Sequence, residues 1–197
     1  NKSRLIIQNT DDIKTLIDLK VVEDKKIDLI KGAGVDMEIF SYTKELLETP
    51  EVILPARLLW DKGVGEFVAA AEILKKKGIN ARFILVGEND PHNPECIPGN
   101  QIEDWKKEGV VEVAGFRDDM VKCMQDCSIV CLPSYREGLP KSLLEAASCG
   151  RPIVTTNVPG CREIVQDGVN GYLVPSKDPH LLAEALNRLL ADKDLRR

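Results

Sequence analysis

Short, largely apolar runs alternate with helix-like patterns along most of this chain, and this alternation constrains its fold more than any other feature. Four such runs are VIL (52–54), FILV (83–86), VEV (111–113) and SIVCL (128–132). Continuous apolar runs of this length are typical of strands buried on both faces, as in a parallel sheet. The sequence therefore predicts an α/β fold with a doubly wound parallel sheet.

Helical patterns lie between and after these runs. In 64–77 the apolar residues follow the spacing of one helix face. A second helix is predicted over 140–148, ending at Cys149-Gly150, because glycine commonly follows the end of a helix. The chain closes with a helix that Ser176 or Asp178 can cap, and Asp118 can cap a helix carrying Met120 to Met124.

The first 49 residues follow a different pattern. Residues 10–22 form an amphipathic helical pattern, 27–30 a strand, and GAGVD (32–36) the turn that leaves it. The polar stretch 41–50 is predicted to be a connector. We therefore expect residues 1–49 to be the remnant of an N-terminal domain plus a linker, and residues 50–197 to be a domain of their own.

Composition narrows the class of protein. The 197 residues are 43% hydrophobic and 30% charged, as in an ordinary globular domain, with a net charge of −5. This acidic balance argues against nucleic acid as a partner, since domains that bind nucleic acid usually carry a basic excess. The chain lacks a run of about 18 apolar residues, the length needed to span a bilayer.

The six cysteines do not predict a metal site. Cys123, Cys127 and Cys131 repeat every four residues, whereas structural zinc sites favour closely spaced pairs and four ligands. A strand at 128–132 turns Cys131 away from the two cysteines before it. We therefore expect buried, reduced thiols and a reducing, cytoplasmic compartment.

Two turns that follow apolar runs carry the residues for a binding site. In an open α/β sheet, ligands bind at the carboxyl ends of the strands. The turn after 52–56 places Arg57 and Lys62 beside a helix that begins near Gly63. A guanidinium, an ammonium and the free N–H groups of a helix N-terminus together suit a phosphate group.

The turn after 128–132 leads into a helix without an evident capping residue. Leu139 is a poor N-cap, so the N–H groups of Lys141, Ser142 and Leu143 are predicted to point outward and to accept an anion. Gly138 lets a ligand approach the backbone closely. Glu137 lies in the turn, and Glu145, eight residues on, has apolar neighbours that require it to find a polar partner if buried.

The remaining turns and aromatic residues are less specific. The turn at Gly115-Phe116-Arg117 follows a further apolar run and allows close backbone approach. Trp60 and Trp105 are interpreted as packing residues, and no role is assigned to the two histidines.

These residues resemble a known family. Glu137-Gly138-Leu139-Pro140 with Glu145, followed by EAASCGRPIVTTNVPGCREIVQDGVNGYLV, is similar to the signature of the retaining glycosyltransferases of family 4 (group 1). Arg57 with Lys62-Gly63 matches the basic pair of that family, and GAGVD matches the stretch that leads into its second domain. The resemblance implies a GT-B architecture of two Rossmann-like domains, of which this chain is the C-terminal, donor-binding one.

The resemblance also implies roles for individual residues. Arg57 and Lys62 neutralise the departing diphosphate, and Glu137 contacts the transferred sugar, so these three are the expected catalytic residues. The N–H groups around 139–143 hold the sugar and phosphate, Glu145 binds the ribose, and residues 115–117 frame the base. The expected substrate-binding residues are Gly115, Phe116, Arg117, Gly138, Leu139, Pro140, Lys141, Ser142, Leu143 and Glu145.

The expected donor is a UDP-sugar, by similarity a UDP-N-acetylhexosamine used in polysaccharide biosynthesis, and neither a metal nor a cofactor is expected. The glycan or lipid-linked acceptor is expected to bind the missing N-terminal domain, so this chain alone is expected not to transfer sugar. The full-length enzyme is expected in the cytoplasm, with peripheral contact to the inner face of the cell membrane. Two alternatives stay open: a non-catalytic nucleotide-binding module, and a dinucleotide-dependent oxidoreductase domain, although no GxGxxG follows an apolar run.

Overall fold

The structure, a computed structural model, describes residues 3–45 and 47–196. The first unit is a strand, a helix and a second strand: β1 (Leu5–Ile7), α1 (Thr10–Asp18) and β2 (Ile27–Leu29). The two strands pair in parallel and form a sheet of their own. The predicted helix 10–22 ends four residues early because Lys20 adopts a left-handed conformation (φ 55°), which closes the last turn.

The second unit is built on six parallel strands in the order β5-β4-β3-β6-β7-β8. The four predicted strands are confirmed, the third with its bounds displaced toward the C-terminus, and β7 and β8 were not predicted. The strands are β3 (Glu51–Pro55), β4 (Arg82–Val86), β5 (Glu112–Gly115), β6 (Ile129–Leu132), β7 (Ile153–Thr156) and β8 (Gly171–Val174).

Helices cover both faces of this sheet, so the predicted doubly wound α/β class is confirmed. The helices are α2 (Val64–Lys76), α3 (Gly99–Glu108), α4 (Met120–Asp126), α5 (Lys141–Ser148) and α6 (Pro179–Ala191). One core lies under α2, α3 and α6, and the other under α4 and α5. Along β3, Leu54 belongs to the first core and Ile53 to the second, as expected for a strand buried on both faces.

The caps of two helices test the sequence predictions. Asp178 caps α6 through bonds from the N–H groups of His180 and Leu181, at 3.0 and 2.9 Å. The prediction for α4 is wrong: Asp119, not Asp118, occupies the cap position, and its carboxylate accepts from Arg117 Nε at 2.6 Å instead of from the helix. A neighbouring guanidinium offers a charge-assisted bond, which outcompetes the backbone N–H.

The order of the strands identifies where a ligand is expected. The chain runs from β3 outward to β5, then returns to the centre at β6 and runs outward to β8 on the other side. Where the strand order reverses, the turns after β3 and β6 diverge and leave a crevice at the carboxyl end of the sheet. Both turns selected from the sequence lie at this switch point.

A buried ion pair ties the connector to the end of the chain. Glu45 and Arg196 are 8% and 7% exposed, with Arg196 Nε 3.1 Å from Glu45 Oε2. Ser128 Oγ donates to Glu45 Oε1 at 2.6 Å. Burial by itself raises the pKa of Glu45, but the bonds from Arg196 and Ser128 outweigh it, so its pKa lies below the ordinary 4.5.

This lowered pKa predicts a loss of stability in acid. The unfolded chain binds the Glu45 proton more tightly than the folded chain, so the contribution is complete above pH 4.5 and is lost as the pH falls through the folded pKa. Carbon-13 NMR of the Glu45 carboxyl, with urea unfolding at pH 6, 4 and 3, measures both effects. Titration of Glu45 above 4.5 would show that burial dominates and would contradict the prediction.

No helix in the described part of the chain combines the length and the apolar character needed to cross a bilayer.

Candidate functional site

The turn after β3 is packed directly on the turn after β6. A short 3-10 helix, Trp60–Lys62, ends at Gly63, which has a φ of 71°. A Cβ atom at Gly63 would lie 2.1 Å from the carbonyl oxygen of Pro133. Only glycine allows both the left-handed conformation and this approach. The Lys62-Gly63 pair is therefore the element that brings the two turns together.

Lys62 and Glu137 meet at this junction. Lys62 Nζ lies 2.7 Å from Glu137 Oε1, and the two side chains are 18% and 13% exposed. Ser134 Oγ, which is fully buried, donates to the same carboxylate oxygen at 2.7 Å. The Ser134 carbonyl in turn accepts from Thr156 Oγ1 on β7. A partly desolvated charge pair is thus held in one orientation at the switch point of the sheet.

Arg57 has a different partner from Lys62. Its Nη1 atom is 2.8 Å from Asp90 Oδ2, in the turn after β4, and its side chain is 58% exposed. The predicted pair of cations therefore consists of one half-buried ammonium facing Glu137 and one exposed guanidinium facing Asp90. An exposed ion pair contributes little to stability, so Arg57 is available to a stronger anion.

A cleft of about 310 Å³ opens beside Arg57. It lies over the carboxyl ends of the strands, where turns after β3, β4 and β5 face the first two turns of α5. The residues that line it include Arg57, Glu88, Phe116, Arg117, Ser142 and Glu145. Five of these six belong to the predicted site, and the cleft brings them together.

Glu145 is buried in the wall of the cleft, as its apolar neighbours predicted. The residue is 8% exposed, and Lys141 Nζ lies 3.1 Å from its Oε1 atom. The prediction that this carboxylate requires a polar partner is confirmed, and the partner is the lysine one helical turn earlier. Lys141 remains 67% exposed, so it covers Glu145 from the solvent side.

The N-terminus of α5 is uncapped by any side chain, as predicted. Pro140 occupies the N-cap position without a capping hydrogen bond. The prediction for Leu143 is wrong: its N–H donates to the Pro140 carbonyl at 3.1 Å, and its side chain is fully buried in the core. A proline N-cap in an extended conformation points its carbonyl into the first turn, where the Leu143 N–H reaches it. Leu143 is therefore a packing residue.

The space beside Gly138 is filled by the protein itself. A Cβ atom on Gly138 would lie 2.4 Å from Gln8 Oε1, at the end of β1. The sequence predicted that this glycine admits a ligand to the backbone, but here it admits the side chain of Gln8. Leu139 similarly packs on Gly32, where a Cβ would lie 2.7 Å from Leu139 Cδ2.

The turn after β5 contributes an exposed ring to the cleft. Phe116 is 69% exposed, while Arg117 is held by Asp119. The Gly115 carbonyl accepts from the Gly87 N–H at 2.8 Å, which fixes this turn against the turn after β4. An exposed aromatic ring at the edge of a cleft suits stacking on a planar ligand group.

Four of the six cysteines are buried as predicted, whereas Cys96 and Cys123 are partly exposed. Cys127 packs in the core under α4 and α5, and Cys131 in the core on the opposite face of the sheet. Burial raises the pKa of Cys161 to about 11. Within residues 3–45 and 47–196, His, Cys, Asp and Glu side chains form no group of three suited to a metal ion. Trp60 and Trp105 pack edge to face, 6.1 Å apart.

Besides Glu88, four residues of the site were not found from the sequence. Ser134 and Asp90 are the partners of Glu137 and Arg57, and Gln8 and Asn9 contact Gly138. A serine in a turn and an aspartate in a polar loop carry no distinguishing signal. Gln8 and Asn9 are also separated from Gly138 by about 130 residues, and only the tertiary fold brings them together.

Comparison with known proteins places this chain in a family. The sequence profile described as Glycosyl transferases group 1 matches residues 49–192. A Campylobacter jejuni protein named N,N'-diacetylbacillosaminyl-diphospho-undecaprenol alpha-1,3-N-acetylgalactosaminyltransferase is 38% identical over 188 residues, which are 89% of this chain and 48% of that protein. The amylovoran biosynthesis glycosyltransferase AmsK of Erwinia amylovora is 31% identical over 79% of this chain and 40% of its own length.

Solved structures share the fold. Staphylococcus aureus TarM, crystallised with UDP, superimposes with a TM-score of 0.83 and 24% identity, over 98% of this chain and 38% of TarM. Anabaena HepE in complex with UDP and glucose has a TM-score of 0.79 and 23% identity, over 98% of this chain and 55% of HepE. The chain spans about half the length of the relatives it matches, or less. From the profile match and the identity to the Campylobacter protein together, we conclude that this chain belongs to the group 1 glycosyl transferases.

Proposed function

We propose that this chain binds the nucleotide-sugar donor of a retaining glycosyltransferase, at the switch point of its six-stranded sheet. The observation that carries the proposal is the half-buried Lys62–Glu137 pair, 2.7 Å apart, beside an uncapped helix N-terminus and a cleft that holds Glu145. A cation, a carboxylate and free N–H groups are the groups that a diphosphate joined to a sugar requires.

Each group has a proposed task. Lys62 and Arg57 neutralise the diphosphate, and each exchanges an acidic side-chain partner for a phosphate oxygen when donor binds. Glu137, released from Lys62, accepts hydrogen bonds from the hydroxyls of the transferred sugar. Glu145 binds the ribose within the cleft, and Phe116 lies against the base.

The proposed chemistry depends on stabilising the negative charge that develops on the leaving group. Cleavage of the bond between sugar and phosphate leaves negative charge on the diphosphate, and fixed cations and helix N–H groups stabilise that charge without reorganising. This stabilisation comes from the protein's own residues: the N-terminus of α5, with Lys141 and Ser142, and the ammonium of Lys62. We propose that no metal takes part.

We propose UDP as the nucleotide, because similar folds were crystallised with UDP. An N-acetylhexosamine as the sugar is supported by the name of the Campylobacter relative, which is an N-acetylgalactosaminyltransferase. The same name supports a lipid-linked acceptor, and that of AmsK supports polysaccharide biosynthesis. For the longer enzyme we propose a cytoplasmic location with peripheral membrane contact.

The two glutamates are expected to respond differently to substitution. Glu145→Gln should weaken UDP binding by about 1 kcal/mol, because an amide offers the ribose hydroxyls one acceptor in place of a charged group. Glu137→Gln should leave UDP binding nearly unchanged, since its proposed partner, the sugar, is absent from UDP. Calorimetric titration of both variants with UDP makes the comparison.

Glu103→Gln is the matched control, because it makes the same change at an exposed helix glutamate, 57% exposed and paired with Lys106, outside the cleft. The roles would be reversed if Glu137→Gln abolished UDP binding while Glu145→Gln bound like the unaltered chain.

A further inference from the structure

The loop that carries Glu137 is held from both sides by residues distant in sequence. Asn9 Nδ2 donates to the Gly138 carbonyl at 3.0 Å, and Arg136 Nη2 lies 2.7 Å from Asp12 Oδ1. Both partners belong to the start of α1, in the first unit of the chain. The residues immediately before and after Glu137 are thus both bound to one helix N-terminus.

Asn9 is the centre of this contact. It is completely buried, and its Oδ1 atom accepts from the Asp12 N–H at 2.8 Å, capping α1. Its amide nitrogen donates to Asp12 Oδ2 at 2.9 Å as well as to Gly138. Both amide hydrogens and the oxygen are therefore used, so the side chain has one orientation. Capping and the bond to Gly138 are performed by different atoms of the same amide.

The Gly138 carbonyl is closely packed by other parts of the chain. Gly160 has a φ of 81°, and a Cβ atom added there would be 2.5 Å from the Gly138 oxygen and 2.7 Å from the Glu137 oxygen. Gln8 lies against the Gly138 Cα from the direction of β1. The peptide group between Gly138 and Leu139 is therefore enclosed, and Asn9 is the hydrogen-bond donor that fixes its rotation.

We propose that Asn9 is a positioning residue for the donor sugar: its bond to the Gly138 carbonyl sets the direction of Glu137. This inference rests on the proposed function, and it lies outside the segment that matches the family, which begins at residue 49. Glu137 is anchored at its carboxylate by Lys62 and Ser134. If donor binding withdraws Lys62 toward the diphosphate, the side-chain bond from Ser134 and the backbone bond from Asn9 together keep the carboxylate facing the sugar.

Two variants separate this role from capping. In Asn9→Ser the hydroxyl caps α1 about as well as asparagine but ends one atom short of Gly138. In Asn9→Asp the volume and the cap are retained and the donor to Gly138 is lost, but the new carboxylate also faces Asp12, so Asn9→Ser is the primary test and Asn9→Asp the more severe one. Lys31→Met is the control, because it breaks another contact between the same two units, the 2.6 Å pair with Glu163, away from the loop.

The first measurement needs no ligand. Hydrogen exchange of the segment 134–139, where the Tyr135 N–H donates to the Asp61 carbonyl at 2.8 Å, reports opening of the loop. We expect exchange about fivefold faster in both Asn9 variants, the fold-change that one ordinary hydrogen bond provides, with α1 and the Lys31→Met control unchanged. Unchanged exchange in the loop would overturn the positioning role.

The second measurement compares UDP with UDP-N-acetylgalactosamine by calorimetry. We expect the Asn9 variants to bind the sugar nucleotide about fivefold more weakly and UDP less than twofold more weakly, since only the sugar faces Glu137. Equal weakening of both ligands would show a merely structural role. If the unaltered chain does not bind UDP at all, the proposed function is contradicted. Hydrogen exchange still shows in that case whether Asn9 holds the loop.

Discussion

Replacing Lys62 by methionine will weaken the binding of UDP by about 1.5–3 kcal/mol, the range for hydrogen bonds to charged groups. Methionine retains the aliphatic stem that packs in the turn and removes only the ammonium. The Lys62 side chain is 18% exposed, so its ammonium faces a phosphate with less competition from water than a cation on the open surface does. Calorimetry with UDP and with uridine measures the effect.

Uridine is the decisive comparison, because it lacks the phosphates and should bind the variant and the unaltered chain alike. Lys76→Met serves as the matched control: Lys76 is the last residue of α2, 78% exposed and paired with Glu72. An equal loss for uridine and UDP in Lys62→Met would mean that the lysine acts through folding and not through the diphosphate.

Replacing Gly63 by alanine will lower the free energy of unfolding by about 3 kcal/mol or more. Alanine at a φ of 71° is strained by itself, and its Cβ would lie 2.1 Å from the backbone oxygen of Pro133. A backbone carbonyl cannot rotate away as a side chain can. The turn after β3 must therefore separate from the turn after β6, and Lys62 leaves Glu137.

Gly78→Ala isolates the contribution of the clash. Gly78 has a φ of 77°, close to that of Gly63, but nothing lies within 4 Å of its added Cβ. The free energy of unfolding of this variant should fall only by the strain of the left-handed conformation, about 1–2 kcal/mol. Urea unfolding of both variants provides the comparison, and equal losses would show that the contact with Pro133 is not tight.

The sequence predicted the central strands because each is continuously apolar and ends at a turn. It failed at Ile153–Thr156 and Gly171–Val174, toward the edge of the sheet. Two threonines in the first of these are buried, because Thr155 and Thr156 donate their hydroxyls to carbonyls at the end of β6, so a buried strand contains polar residues. In the second, Gly171 is required where a Cβ would lie 2.0 Å from the Ile153 carbonyl oxygen.

The sequence predicted which turns form the site, but not which side chains within those turns contact each other. The doubly wound pattern places residues 57–63 and 133–142 at one edge of the sheet, since both follow parallel strands. Which cation meets which carboxylate depends on packing at single atoms, such as the contact of Gly63 with Pro133. The contribution of Asn9 depends on how the first unit packs against the second, and local sequence contains no information on that arrangement.

The central claim is that the switch point of the sheet binds the nucleotide diphosphate. A crystal structure of this chain with UDP tests it most directly. We predict the diphosphate within hydrogen-bond distance, about 3 Å, of Lys62 Nζ and the α5 N-terminus, with the ribose hydroxyls on Glu145. UDP bound instead in the cavity of about 260 Å³ beside Arg151 and Tyr172, at the opposite end of the sheet, would contradict the claim.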